Sequence, residues 1–275
     1  MAQMRALRSV DAPAVFELLN QDPFHHVFLE HHLQQTSLDS PWFGGQMFGY
    51  FADGELVAAC NAAANVTICG AYDPEIAQAW VNLLRSRQRS SLVGRADLVA
   101  DLWGHLTNFW GPARSERLHQ PLLAIDTKPL VEPDPKVRRV LIDEFDQIYP
   151  HFVDMFTEEV GVNPESNGKE GYKSRVMSLL ARGWSFARIE NDMVKFKTEV
   201  GAATKNAAQL QGVYVPPQFR GQGFSAAALS AVVSQVQQEI APVVTLYVND
   251  YNTRALRLYE KVGFTRIGTL ATIYV

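Results

Sequence analysis

The alternation of hydrophobic and polar positions predicts mixed helices and strands in the first half of the chain. Apolar residues at near-helical spacing follow Asp11 and predict a first helix. Two runs, Gly45–Phe51 and Leu56–Cys60, flank Asp53-Gly54, which predicts a hairpin because glycine takes positive φ at little cost. The remaining predicted elements are helices over Pro74–Ser86 and Ala96–Asn108 and a strand over Ser90–Gly94.

The second half repeats this order: an extended piece, helix and hairpin. Asn191-Asp192 is the expected hairpin turn, and Gly183 is the expected stop of the preceding helix. Because no residue-level repeat is obvious, tandem duplication is a hypothesis from element order alone. The predicted elements are strand Val137–Asp143, helices Phe145–Val160 and Ser174–Ala181, strands Trp184–Glu190, Met193–Val200 and Leu210–Val215, helix Phe224–Ala241, strand Val243–Val248, helix Thr253–Lys261 and strand Thr265–Tyr274.

A proline-rich segment separates the two halves. Asp126–Lys136 contains three prolines and several charges, and proline fixes φ and removes backbone donors, so the segment suits a linker. We therefore predict two domains, residues 1–130 and residues 137–275. Each mixes helices and strands, which places the chain in the α+β class.

Composition narrows the function classes. The 275 residues are 47% hydrophobic and 20% charged, with a formal net charge of −4, which is typical of a soluble protein and unlike a nucleic-acid binder. The N-terminus does not have the pattern of a signal peptide, and no stretch has the roughly 20 apolar residues of a membrane span. These features predict a cytoplasmic protein that binds neither nucleic acid nor membrane.

Cysteines and histidines give no metal motif. Cys60 and Cys69 are expected to be buried reduced thiols, because their spacing suits neither zinc nor a disulfide framework. His25-His26 and His31-His32 are expected on a solvated helix face, and no metal is predicted. The tryptophans are expected in the core or in pocket walls, at Trp42, Trp80, Trp103, Trp110 and Trp184.

A glycine loop between a strand and a helix is the first chemical signal. The strand ends at Pro216-Pro217, since proline cannot donate to a sheet ladder, and Gln218–Gly223 then leads into a helix with apolar residues at helical spacing. Glycines let backbone N–H groups approach a ligand, and the helix dipole favours negative charge. The segment therefore predicts an anion site, to which Arg220 could add charge.

This loop has three alternative interpretations. A Walker A loop needs a terminal Lys-Ser/Thr, which is missing. Gly221–Ala226 matches the loose dinucleotide fingerprint, but five residues separate Gly221 from Val215, and too little chain follows for a doubly wound sheet. A glycine-rich turn that merely starts a helix is the third alternative.

A second motif follows the loop. Asn249–Asn252 forms a polar turn after a strand, Asn252 suits a helix N-cap, and Gly263 suits a left-handed C-terminal cap. The helix between them carries Ala255 and Leu258–Lys261, and Phe264 follows Gly263. Together with Gln218-x-x-Gly221-x-Gly223, this motif resembles the GNAT N-acetyltransferase family over roughly residues 205–268, and by element order back to about 137.

The layout of the two halves also resembles tandem two-domain acetyltransferases of the actinobacterial type. Phe156–Gly161 and Phe186–Glu190 are similar to that subgroup. The resemblance implies two GNAT-like domains, each a central, mostly antiparallel twisted sheet flanked by helices. The first half has Cys69–Pro74 after its hairpin and no Gln/Arg-x-x-Gly-x-Gly, so it is expected to be degenerate and to have lost coenzyme binding.

The resemblance also implies a coenzyme site. The pyrophosphate of acetyl-CoA would lie on Gln218–Gly223 and the next turn, and the pantetheine arm would pair with Val213–Val215. Tyr259 matches the family tyrosine that protonates the departing thiolate. The residues expected to bind the coenzyme are Val213, Tyr214, Val215, Gln218, Arg220, Gly221, Gln222, Gly223, Phe224, Ser225, Asn249, Asn252 and Tyr259.

The base for the acceptor amine is the least defined group. Glu199 is the first candidate because it lies on the strand before Val213–Val215, and Glu158 and Glu159 are the others. For any one of them, a solvated surface charge is the more common role. The expected function is acetyl transfer from acetyl-CoA to a small-molecule or protein amine by direct attack in a ternary complex. The alternative is a CoA-binding regulatory or interaction module without turnover.

Overall fold

The computed structural model describes residues 3–40, 43–87 and 90–275, which divide into two compact units. The first unit comprises the described residues up to Leu123 together with Tyr247–Asn252 and Arg266–Val275. The second unit comprises Ala124–Leu246 and Thr253–Thr265. The division into domains at 1–130 and 137–275 remains a prediction. The compact units differ from it in that residues 266–275 belong to the first unit.

The first unit is a mostly antiparallel sheet with helices packed on it. The strands lie in the order β1-β2-β3-β4-β5-β12-β6, with β4 and β5 parallel and the pairs β1–β2, β2–β3, β3–β4 and β5–β12 antiparallel. The elements are β1 Gln3–Ala6, α1 Ala12–Asn20, α2 Val27–Gln35, β2 Met47–Ala52, β3 Glu55–Ala62, β4 Asn65–Gly70, α3 Pro74–Leu84, β5 Ser91–Arg95, α4 Ala96–Trp110, β6 Ser115–Ile125 and β12 Thr265–Tyr274.

Two apolar clusters cover the two faces of this sheet. Ala58 and Cys60 of β3 belong to one cluster and Ala59 to the other, because successive side chains of a strand point to opposite faces. The first cluster is built on α3, α4 and β12, and the second on α1 and α2. Fully buried members of the first include Trp80, Leu92, Leu102, Leu106 and Ile273.

The second unit has a smaller sheet of the same kind. Its strands lie in the order β11-β10-β9-β8-β7; β10 and β11 are parallel, and the other neighbours are antiparallel. The elements are β7 Val137–Arg139, α5 Phe145–Val160, α6 Lys169–Ala181, β8 Ser185–Glu190, β9 Met193–Ala203, β10 Ala207–Tyr214, α7 Ser225–Glu239, β11 Val243–Tyr247 and α8 Thr253–Val262.

The predicted fold class is confirmed, and the sequence of elements repeats. The order β-α-α-β-β-β-α-β-α-β runs from β1 to β6 and again from β7 to β12. In the second copy, β10 and β11 take the places that β4 and β5 take in the first, and both pairs are parallel. The element-order observation that suggested tandem duplication therefore extends to ten elements.

Several local predictions need correction. The strand predicted over Val137–Asp143 ends at Arg139, because Glu144 bonds both the Leu141 N–H and the Arg138 guanidinium and so favours a 3₁₀ turn. His26 is buried before α2, not on a solvated face, and burial lowers its pKa to about 4. The strands β1, β4 and β6 were not predicted.

Other expectations on single residues can be followed in the structure. Cys60 and Cys69 are buried, as predicted. Trp80 and Trp103 are core residues, whereas Trp110 and Trp184 are half-buried. Trp42 lies outside the described residues.

Candidate functional site

A bulge near the end of β10 opens the sheet of the second unit. Gln211 pairs with Glu199 and Tyr214 with Lys197, so Gly212 and Val213 together face a single residue of β9. Only the first three residues of β10, from Ala207, are paired with β11 in the strand register. The strand β10 then continues to Tyr214. Val213 and Tyr214 therefore lie where backbone groups can pair with an extended ligand.

Glu199 is buried directly beneath this bulge. Gly212 has φ +62°, and a Cβ at that position would collide with both carboxylate oxygens of Glu199. The Lys197 ammonium donates to Glu199 Oε2 at 2.7 Å and lies 3.7 Å from the ring centroid of Phe152. The side chain of Glu199 is 3% exposed and that of Lys197 is 0% exposed, so Glu199 is not a solvated surface charge.

Burial dominates the titration of this ion pair. It raises the pKa of the Glu199 carboxyl and lowers the pKa of the Lys197 ammonium, while each partner's charge acts against the shift of the other. Arg175 of α6 adds a further positive charge that acts on both groups. Lys197 was missed in the sequence, although its i,i+2 spacing from Glu199 on a predicted strand places both on one face.

The glycine loop leads from β10 into α7. Gly221 and Gly223 have φ +80° and +83°, and a Cβ on either would meet no atom within 4 Å. Phe224 is the N-cap of α7 and makes no side-chain capping bond, so the first turn, from Ser225, keeps its backbone donors free of a side-chain cap. This uncapped helix start behind open glycines is where the sequence analysis places an anion, and the anion site at Gln218–Gly223 stays a prediction.

Arg220 holds the loop against α5. Its Nε donates to Val215 O at 2.9 Å, and its Nη2 donates to Glu158 Oε2 at 2.6 Å. The bond to Glu158 raises the pKa of Arg220. Both side chains are thus committed to an ion pair that fixes the loop, and Glu158 is a less available base than the sequence suggests.

The other loop residues brace its two ends. Gln222 donates through its amide to Gln218 O at 3.3 Å. The Arg188 guanidinium lies 4.8 Å from the ring centroid of Phe224, and it pairs with Glu190. Bonds from Lys195, Arg188 and Lys136 lower the pKa of Glu190 to about 2.

Tyr259 lies on α8 and is almost fully buried. Its ring packs edge-to-face on Phe264 at 5.9 Å between centroids, and its hydroxyl makes no hydrogen bond to any residue that the structure describes. Burial, and then the charge of Glu159, raise the pKa of Tyr259, so the phenol is protonated at neutral pH. Gly263, with φ +112°, ends the helix behind it.

The two asparagines predicted at the coenzyme belong to the first unit by their contacts. Asn249 is buried, and its Oδ1 accepts from Gln120 Nε2 at 3.0 Å. Gln120 Oε1 in turn accepts from the Thr272 hydroxyl at 2.8 Å. Asn252 directly precedes α8, and its backbone N–H donates to Asn249 O at 2.9 Å. A role for either asparagine at the coenzyme stays a prediction.

The first unit carries a similar Gly-x-Tyr segment without the glycine loop. Gly70-Ala71-Tyr72 matches Gly212-Val213-Tyr214, and both glycines have positive φ. After Tyr72, however, the chain enters α3 at once. Asp73 Oδ1 accepts from the N–H groups of Glu75 and Ile76, both at 2.9 Å. A carboxylate of the chain thus occupies the helix start that would receive a phosphate, which the Asp-Pro step in the sequence foreshadows.

The second unit combines diverging parallel strands, an open glycine loop, an uncapped helix start and a buried tyrosine. Residues 183–264 match the model of the acetyltransferase (GNAT) family, and residues 45–148 match a domain of unknown function, DUF4081. Residues 183–264 are therefore a GNAT-family domain, and this match confirms the resemblance predicted from the sequence.

Known proteins are similar to this chain over different lengths. An acetyltransferase of Agrobacterium fabrum is 31% identical over 27% of this chain and 53% of its own length. The [ribosomal protein bS18]-alanine N-acetyltransferase of Haemophilus ducreyi is 37% identical over 22% of this chain and 41% of its own. The chain thus spans about half or less of these curated relatives.

A solved tandem GNAT protein from the clavulanic acid biosynthesis pathway covers the whole fold. It superposes with a TM-score of 0.58 at 12% identity, over 99% of this chain and 98% of its own. This likeness shows the fold of the tandem form.

The described residues contain neither a metal-binding group nor a helix suited to a membrane. Among residues 3–40, 43–87 and 90–275, no group of three or more His, Cys, Asp or Glu side chains is placed to hold a metal ion. Within the same part of the chain, none of the helices combines the length and apolarity needed to cross a membrane.

Proposed function

We propose that the second unit transfers an acetyl group from acetyl-CoA to an amine by direct attack in a ternary complex. The observation that carries the proposal is the uncapped start of α7 behind Gly221 and Gly223, at the end of the diverging strand β10. In a GNAT domain, this arrangement fits the pyrophosphate of the coenzyme.

The coenzyme is held mainly by backbone. Gln218–Gly223 and Ser225 present N–H groups to the pyrophosphate. The pantetheine arm adds to β10 along Val213–Val215 as an extra strand would. A backbone N–H at the bulge then faces the thioester oxygen, and such a preorganised donor stabilises the charge that develops there during attack.

The reaction needs a proton to leave the amine and another to reach sulfur. The amine nitrogen attacks the thioester carbon, the new C–N bond forms, and the C–S bond breaks. Tyr259 gives its phenolic proton to the departing thiolate. Glu199, beneath the bulge, supplies the negative charge that favours proton loss from the amine. Glu159 is the other acidic side chain near the reacting groups, since its charge raises the pKa of Tyr259.

The acceptor is a primary amine of a small molecule or of a protein. One relative is named as an alanine N-acetyltransferase of a ribosomal protein, which makes a peptide with a free N-terminal alanine one of the acceptors to test. We propose a cytoplasmic enzyme that uses neither a metal nor a nucleic-acid or membrane partner.

A second candidate is a CoA-binding module without turnover. The Asp73 cap, which blocks the equivalent helix start of the first unit, favours it, since one half already carries the fold without the loop. An acetyl-CoA assay with a panel of amines separates the two: thiol release in the presence of an amine supports transfer. Tight coenzyme binding with no thiol release on any amine would establish the module.

Replacing Tyr259 by Phe should lower kcat by about 10²–10⁴-fold, because the thiolate loses its proton donor. The Kd for acetyl-CoA, from calorimetry, should stay within about threefold, since the ring and its packing remain. Tyr251→Phe is the matched control, because Tyr251 is 71% exposed and is expected to leave kcat unchanged. An unaltered kcat in Tyr259→Phe would remove Tyr259 as the acid.

Replacing Gly221 by Ala should weaken acetyl-CoA binding at least about tenfold, because left-handed backbone costs an L-residue about 1–2 kcal/mol and the side chain obstructs the anion. Gly111→Ala is the control, since Gly111 has φ +81° and equally open surroundings at the end of α4. Both variants should lose similar stability in urea, and a loss of affinity in Gly111→Ala as well would argue against the loop as the binding site.

A further inference from the structure

A set of buried polar side chains lies on one face of the second sheet, beside the bulge. Ser185 of β8 is directly opposite Glu199 of β9, and Lys197 is directly opposite Tyr214 of β10. Residues directly opposite each other in antiparallel strands point to the same face. Because Lys197 contacts the ring of Phe152, this face is the one that α5 covers.

His151 of α5 packs over this polar face. Its ring centroid lies 6.4 Å from that of Tyr214, and the ring is half-buried. Its Nδ1 is shielded from solvent and has no hydrogen-bond partner among the residues that the structure describes. The Ser185 hydroxyl, on the same face, is likewise without a partner in the described part of the chain. Leaving a buried polar atom unpaired costs about 1–3 kcal/mol, so such atoms in a site point to a ligand.

The carboxylate of Glu199 is poorly placed to receive a proton directly. One oxygen accepts from Lys197, and both lie where a side chain at position 212 would stand. His151 differs in both respects, because its nitrogen is unpaired and its ring reaches partial exposure at the end of β10. The charged and titratable groups that face His151 are Asp154 of its own helix, Lys197 of β9 and Tyr214 of β10.

We propose that His151 is a catalytic residue whose Nδ1 accepts the proton of the acceptor amine, while the Lys197–Glu199 ion pair positions the polar face beneath it. The inference rests on the acetyl transfer proposed above. As the amine nitrogen bonds to the thioester carbon, its proton passes to His151 Nδ1, and Tyr259 protonates the sulfur as the C–S bond breaks. When the products leave, water that enters the vacated site takes the proton from His151 Nδ1 and returns one to the phenolate of Tyr259, so the enzyme is restored.

The imidazole suits this role at neutral pH. Burial has the largest effect on the pKa of His151 and lowers it. The negative charge of Asp154 raises this pKa and the positive charge of Lys197 lowers it, so that it lies below its ordinary value. The ring is therefore neutral at pH 7 and able to accept a proton. In the ternary complex, kcat should fall only where the pH drops below this lowered pKa, since the protonated ring can no longer act as a base.

The test uses the full chain, acetyl-CoA and four amines: an N-terminal alanine peptide, a lysine peptide, spermidine and glucosamine. His151→Gln should lower kcat about 10²-fold or more and remove the acid limb of the kcat–pH profile. Acetyl-CoA binding should stay within about threefold, which shows that the unit is folded. His105→Gln, an exposed helix position in the first unit, is the control and should behave as the wild type.

Chemical rescue separates catalysis from a merely structural role. Added imidazole should restore the activity of His151→Ala at least about tenfold, because a free base can replace the lost ring, whereas a collapsed site cannot be rescued. An unchanged kcat–pH profile in His151→Gln, or a failure of imidazole to rescue a folded His151→Ala, would overturn the role of His151 while leaving acetyl transfer intact. No thiol release by the wild type with any of the four amines would overturn acetyl transfer and this role together.

Discussion

Deleting residues 266–275 should unfold the first unit. This segment is nearly all of β12, which pairs with β5 through five consecutive positions from Leu270↔Arg95 to Tyr274↔Ser91. Ala271 and Ile273 are fully buried in the cluster that contains Trp80. Burying a Leu or Ile side chain stabilises by about 1.5–3 kcal/mol, so the loss approaches the whole 5–15 kcal/mol typical of a domain. Hydrogen exchange in β5, α3 and α4 should accelerate toward that of an unfolded chain.

Point variants on the same strand set the scale of this effect. Ile273→Ala should cost about 2–5 kcal/mol of unfolding free energy in urea, because it leaves a cavity in a closed core. Ile267→Ala is the matched control, since Ile267 is 39% exposed and should change stability by no more than about 0.5 kcal/mol. Undiminished protection of β5 in the deletion variant would show that β12 is dispensable.

Replacing Lys197 by Met should destabilise the second unit by about 3–5 kcal/mol, because it leaves the Glu199 carboxylate buried without its partner. Adding Glu199→Leu should recover most of the loss, since an apolar pair of similar volume avoids burying a charge. Lys195→Met is the control on the same strand; its ion pair with Glu190 is partly exposed and should be worth less than about 1 kcal/mol. Urea unfolding followed by hydrogen exchange in β8–β10 measures each step.

The loss in Lys197→Met should also depend on pH. Burial without the lysine raises the folded-state pKa of Glu199 above its unfolded value near 4.3, so the folded state holds a proton that the unfolded state releases. The penalty is absent below the unfolded pKa and grows as the pH rises toward the folded pKa. The single variant should therefore be less destabilised at pH 5 than at pH 8. A deficit of equal size at both values would mean that Glu199 is not the buried charge responsible.

The elements that the sequence predicts well are those with strong local signals. The helix Phe145–Val160 has the predicted bounds, because its apolar face repeats at helical spacing and Gly161 ends it in the left-handed conformation. The hairpin turns at Asp53-Gly54 and Asn191-Asp192 also form as predicted, with positive φ at all four residues. The sequence predicts the glycine loop and the helix that follows it equally well.

The features that the sequence did not reveal depend on contacts between distant segments. The pairing of β12 with β5 joins residues with no local signal for each other. Alternation places Lys197 and Glu199 on the same face of their strand. It does not say whether that face is buried, so the burial of Glu199 is evident only in the structure. The sequence does not point to His151, because a histidine in an amphipathic helix has no pattern of its own. The Gly70-Ala71-Tyr72 repeat was too short to be noticed without the matching backbone conformation.

The place of β12 in the first unit has a consequence for synthesis on the ribosome. The strand that covers β5 is translated roughly 170 residues after it, which takes about 10–30 s at 5–20 residues per second. During that interval, the nascent first unit presents an unpaired strand edge beside the apolar residues that Ile273 later covers. Cells that express this protein should therefore need a chaperone to shield that edge until translation reaches the closing strand.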